Sequence, residues 1–116
     1  MVIAEQLREA IGDEPEDPKK FLKDVAKETV RLMGGGWKVN SRTRFTAGIQ
    51  GPRKNKIGFQ IGGYPLTVRV YADQGAAGGV KIGTAPIDDA PKVAQVVADV
   101  IRKQIDSSGG QLYGLR

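Results

Sequence analysis

The chain has no cysteine and no histidine. Without cysteine there is no disulfide, no thiolate metal ligand and no thiol nucleophile, a usage that suits a reducing compartment. Without histidine the commonest general base near neutral pH and the commonest metal ligand are both missing. Long apolar runs are missing as well: none approaches the roughly 20 residues of a membrane span, and the N-terminus lacks the basic-then-apolar layout of a secretory signal. Together these absences predict a cytoplasmic protein with no metal, no cofactor and no membrane partner. Acidic charge is scarce in the middle of the chain, where Asp73 is the only carboxylate between residues 37 and 84.

That same stretch carries eight Lys and Arg, so the formal net charge of +5 divides into −2 for residues 1–36, +7 for 37–84 and 0 for 85–116. It also holds the β-type periodicity. From Trp37, residues Val39, Ser41, Thr43, Phe45, Ala47 and Ile49 alternate with Lys38, Asn40, Arg42, Arg44 and Thr46, a period of two that predicts one long half-buried strand. The alternation returns in Ile57, Phe59 and Ile61, in Leu66, Val68 and Val70, and weakly in Val80 and Ile82. Four strands that are each half apolar predict an antiparallel sheet covered on one side, with no acid on the open side.

Glycine is abundant, with sixteen residues clustered at 34–36, 62–63, 75–79 and 109–110, each where the periodicity stops. Flanking the sheet are two helical patterns. Asp17-Pro18 supplies an N-cap and a proline at the first helical position, and Phe21, Leu22, Val25, Ala26, Thr29, Leu32 and Met33 then form one stripe ending at Gly34. Asp88-Asp89-Ala90-Pro91 repeats the start signal before Val93, Val96, Val97, Val100, Ile101 and Ile105. A shorter pattern, Ile3, Leu7 and Ile11, predicts a first helix separated by the acidic hinge of residues 13–17. At 116 residues there is room for one core. The predicted architecture is an α+β two-layer sandwich of order α-α-β-β-β-β-α, with both long helices on one face of a four-stranded sheet. Residues 1–16 form an N-terminal arm, 17–106 the domain and 107–116 a flexible tail.

Sequence motifs for catalysis are weak. Gly75-Ala76-Ala77-Gly78-Gly79-Val80-Lys81 lacks the spacing of a phosphate-binding loop and precedes a strand rather than a helix. Asp88 and Asp89 suit the positive end of a helix without further chemistry. No base or orienting partner can be named for a Lys or Ser nucleophile, so the expectation is a non-enzymatic protein. In element order alone the chain resembles the double-stranded-RNA-binding domain, but Asp88-Asp89-Ala90-Pro91-Lys92 stands where that domain carries a lysine cluster. It also resembles small bacterial nucleoid-associated proteins, with no shared motif.

The charge pattern carries the functional expectation. Arg42, Arg44, Lys56, Arg69 and Lys81 should project from neighbouring strands onto the open face, with Lys38 at its edge and Tyr71 as one stacking side chain. Arg53 and Lys54 extend the patch from the loop Gly51–Lys56. Cations also blunt sheet edges, but ordinary surfaces mix the two signs. A one-sign platform suits phosphate contacts, and the expected function is nucleic-acid binding through a basic sheet face. The alternative is a protein-interaction module, a structural, adaptor or inhibitor protein of the kind phages and mobile elements encode, which meets an acidic protein surface. The N-terminal arm and the Leu112-Tyr113 tail are the segments through which it would form a homo-oligomer.

Overall fold

The computed structural model describes residues 14–112; the helix expected over residues 2–11 lies outside them. Helix α1 (Pro18–Met33) begins where its capping residues predict, with the Asp17 side chain accepting a hydrogen bond from Lys20 N at 3.1 Å. Its buried side chains are Leu22, Val25, Ala26 and Thr29. Thr29 tolerates burial because its hydroxyl donates to Val25 O at 2.7 Å. Helix α2 (Ala90–Ser107) buries Val93, Ala94, Val97, Ala98 and Ile101. The two helices pack on each other, and Arg102 Nη2 of α2 donates to Leu32 O at 2.8 Å, satisfying a carbonyl left free in the last turn of α1.

Between the helices run five antiparallel strands in chain order: β1 (Lys38–Val39), β2 (Ala47–Gln50), β3 (Lys56–Gly62), β4 (Thr67–Asp73) and β5 (Gly79–Pro86). The expectation of four strands fails in its first member. Residues 37–49 do not form one strand but fold back on themselves, pairing Lys38 with Gln50 and Val39 with Ile49. Two short polar side chains turn the backbone away from the ladder: Asn40 Oδ1 accepts from Arg42 N at 3.0 Å, and Thr43 Oγ1 accepts from Phe45 N at 3.1 Å. Such local bonds compete with strand pairing. The described chain is therefore α-β-β-β-β-β-α.

One face of the sheet packs against the helices. Ala47 and Ile49 of β2, Ile57 and Phe59 of β3, Val68, Val70 and Ala72 of β4, and Ala85 of β5 are all buried there in one core with Leu22, Val25, Val93, Val97 and Ile101. The pairing of β4 with β5 skips Ile82, since Val70 faces Gly83 whereas Tyr71 faces Lys81. This bulge lets Val80 and Ala85, an odd number of residues apart, both pair with core residues of β4, Ala72 and Val68. At Gly83 there is no room for more than a hydrogen, because an added Cβ would stand 2.6 Å from Val100 Cγ1.

Residues 108–112, expected to start a flexible tail, are docked on the domain. Asn55 Nδ2 donates to Gly110 O at 3.1 Å, Leu112 N donates to Asn55 Oδ1 at 2.8 Å, and Gln74 Nε2 donates to Leu112 O at 2.8 Å. The Leu112 side chain is 1% exposed, inside the core. Composition hides this contact, since a glycine-rich terminus reads as mobile even when it carries Leu112, Tyr113 and Leu115.

Candidate functional site

The open face of the sheet is partly roofed by the chain itself. Residues 40–46 cross over it, and the half-buried Phe45 ring settles on the strands, stacking on Tyr71 with ring centroids 5.2 Å apart and planes 16° from parallel. Glycines make the seat: a Cβ on Gly58 would fall within the Phe45 ring, and one on Gly79 would stand 2.7 Å from its Cζ. Phe45 was expected to face the helices as part of a continuous strand. Once Asn40 and Thr43 break the strand, its alternation no longer sets which face the ring reaches.

This strap carries Arg42 and Arg44 on either side of its aromatic anchor. A second element, the tight turn Pro52–Lys54, faces them. Gly51 N donates to Asn55 O at 2.8 Å across the turn, and Arg53 and Lys54 both adopt left-handed backbone, φ 59° and 60°. Two successive non-glycine residues in that region are strained. The consequence is a division of labour: Arg53 turns to the C-terminal segment, its Nη1 donating to Gly109 O at 3.4 Å, whereas Lys54 turns to the open face.

Arg42, Arg44, Lys54 and Lys56 thus line one open cleft of about 960 Å³, together with Gln50, Asp73, Gly75 and Gln111. The open face does hold an acid, contrary to expectation. Strand β4 runs on to Asp73, whose register partner is Gly79, and its carboxylate oxygen Oδ1 accepts from Gly75 N at 2.9 Å and lies 3.9 Å from Arg44 Nε. One carboxylate against four cations leaves the cleft positive. The contrast with the helices is informative: Lys20, Arg31 and Arg102 each pair with an acid on their own helix, whereas Arg42, Lys54 and Lys56 face no carboxylate within ion-pair distance among the described residues.

Of the nine predicted binding residues, four meet in the cleft. Lys38 lies on the two-residue edge strand β1. Arg53 is engaged with the C-terminal turn. Arg69 folds over Gly62, its Nε 3.2 Å from where a Cβ would stand there, and away from the cleft. Tyr71 is covered by Phe45, and Lys81 stands opposite Tyr71 on β5. Gln50, Asp73 and Gln111 were not anticipated. Gln50 continues the strand alternation by one residue, and Asp73 is the lone acid of the basic stretch, so both had a signal; Gln111 had none, since only the docking of Leu112 brings it to the cleft.

Among the described residues no group of three or more acidic side chains could hold a metal ion, and no helix is long and apolar enough to cross a membrane. Compared with protein-family models, curated proteins and solved structures, the chain matches none.

Proposed function

We propose that the protein is a non-enzymatic nucleic-acid-binding protein that holds a sugar-phosphate backbone in the cleft beneath the 40–46 strap. The observation that carries this reading is the convergence of Arg42, Arg44, Lys54 and Lys56 from two separate loops and a strand onto one cleft. Four like charges brought this close repel each other, and that repulsion is relieved by an anionic ligand. Arginines suit phosphate oxygens because each presents a planar fork of donors, and lysines supply point charge beside them. With Phe45 seated on Tyr71, no free aromatic ring among the described residues lines the cleft, so affinity comes from phosphate contacts rather than base stacking.

Fluorescent oligonucleotides titrated over a salt series test the proposal. Four neutralised phosphates give a slope of log affinity against log salt of roughly −3 to −4, depending on strandedness. Absence of binding at low salt would overturn it, and capture of an acidic protein surface by the same cations would then be the reading to pursue.

A further inference from the structure

The cleft contains a group that phosphate binding does not call for. A cavity shaped only to hold phosphate oxygens needs donors and positive charge, and a fixed carboxylate on its wall opposes every phosphate that enters. Asp73 is such a group: its side chain is 11% exposed and lines the cleft beside Gly75.

Its local contacts do not account for the charge. The bond from Gly75 N to Oδ1, at 2.9 Å, closes a turn that the neutral amide oxygen of asparagine can also close. Arg44 Nε, at 3.9 Å, makes an ion pair with it that is too long for a hydrogen bond and half exposed to solvent. Both contacts fall on the same oxygen, and Oδ2 has no hydrogen-bond partner among the described residues. The same cleft is lined by the amides of Gln50 and Gln111, which can donate and accept. The lining therefore combines four cations, two ambivalent amides and one anionic acceptor.

A ligand matching that set presents anionic oxygens and, within the same cleft, a hydrogen-bond donor. A DNA backbone offers acceptors only. An RNA backbone offers a 2′-hydroxyl on every sugar, a donor adjoining each phosphate. We infer that the cleft selects RNA over DNA, with Asp73 accepting a hydrogen bond from a ribose 2′-hydroxyl while Arg42, Arg44, Lys54 and Lys56 hold the neighbouring phosphates. The inference rests on the phosphate-binding reading above and adds the identity of the sugar. A bond to a carboxylate is charge-assisted and stronger than one between neutral groups. For DNA the same carboxylate gains no hydrogen bond from the sugar and repels the phosphates, so one residue both rewards the right sugar and penalises the wrong one.

The test measures the full chain against three labelled single strands of one sequence: RNA, DNA, and RNA methylated at every 2′-oxygen, which removes the donor and keeps the ribose. The wild-type protein should bind RNA at least about fivefold more tightly than either of the others, the factor that one net hydrogen bond supplies. Asp73→Asn, which retains an acceptor for Gly75 N, should bring the three affinities within about twofold of each other, chiefly by strengthening DNA binding. Equal, salt-dependent binding of RNA and DNA by the wild type would overturn the inference and leave the phosphate reading standing. So would an Asp73→Asn protein that gains affinity for all three strands alike, because Asp73 would then serve only the turn and Arg44. If no strand binds at low salt, both readings fall together. The methylated strand needs no protein variant, so the inference stays testable even if Asp73→Asn unfolds.

Discussion

The Phe45 ring lies against Tyr71 on the face of the sheet opposite the helices, at 5.2 Å between centroids. This pair decides the shape of the basic surface. Had Phe45 continued the alternation into the core, Arg42 and Arg44 would stand on a flat strand; instead the ring fastens a strap across the sheet and both arginines reach the cleft from above it.

Removing the ring should therefore separate binding from folding. Phe45→Ala should destabilise by about 1–2 kcal/mol, the worth of a half-buried aromatic and its stack, and should weaken polyanion binding severalfold without any change of charge. Phe59→Ala, which empties a site of 0% exposure, should cost about 3–5 kcal/mol in urea unfolding. Gly58→Ala should reproduce the Phe45→Ala loss of binding by evicting the ring from its seat. Unaltered affinity in both strap variants would show that the position of Arg42 and Arg44 does not depend on the anchor.

The C-terminal segment makes a second expectation. Asn55 is 3% exposed, and its amide serves both Gly110 O and Leu112 N. Asn55→Ala leaves a half-buried carbonyl and a buried N–H without their partner, so it should cost about 1–3 kcal/mol in denaturant unfolding. Hydrogen exchange at Leu112 should accelerate at the same time. A loss below about 0.5 kcal/mol would mean that the segment contributes nothing to the folded state.

How much of this was readable from the residues follows from the physics of each element. Asp17-Pro18 and Pro91 mark helix starts because capping and proline geometry are local, and both helices begin within two residues of those marks. Phe59, Val68 and Val70 were legible as core because large apolar residues recur with a period of two along the sequence of their strands. The 37–49 segment obeys the same period, yet Asn40 and Thr43 bond to the backbone two residues on and override it. Periodicity counts apolar positions and does not register that competition. In the candidate site, Arg42, Arg44, Lys54 and Lys56 were found by charge, which needs no geometry. Separating Lys54 from Arg53 required the backbone angles of the turn, and placing Gln111 required a contact between residues more than fifty positions apart.

Charge reversal at the strap tests the cleft as a whole. Arg42 is exposed and Arg44 has, among the described residues, only the 3.9 Å contact with Asp73, so Arg42→Glu with Arg44→Glu should leave stability within about 1 kcal/mol of wild type. Binding to a polyanion should be abolished, since two attractive contacts become two repulsive ones. A double variant that folds normally and retains full affinity would remove the cleft from consideration and return attention to Lys38, Arg69 and Lys81.

Lys54 offers the sharpest separation of stability from binding. Its φ of 60° is a conformation that costs a non-glycine residue about 1–2 kcal/mol and costs glycine almost nothing. Lys54→Gly removes that strain, while the extra freedom of glycine in the unfolded chain offsets roughly 0.5–1 kcal/mol of the gain. The variant should therefore be as stable as wild type or up to about 1.5 kcal/mol more so. It also removes one cation from the cleft, so affinity for nucleic acid should fall and the salt slope should become shallower by somewhat under one unit, the share of a single phosphate contact. Thermal melts and the salt series on the same preparation check both halves. A strained turn kept for its backbone alone would give the stability gain with an unchanged slope; one kept to aim Lys54 at a phosphate gives the gain and the loss together.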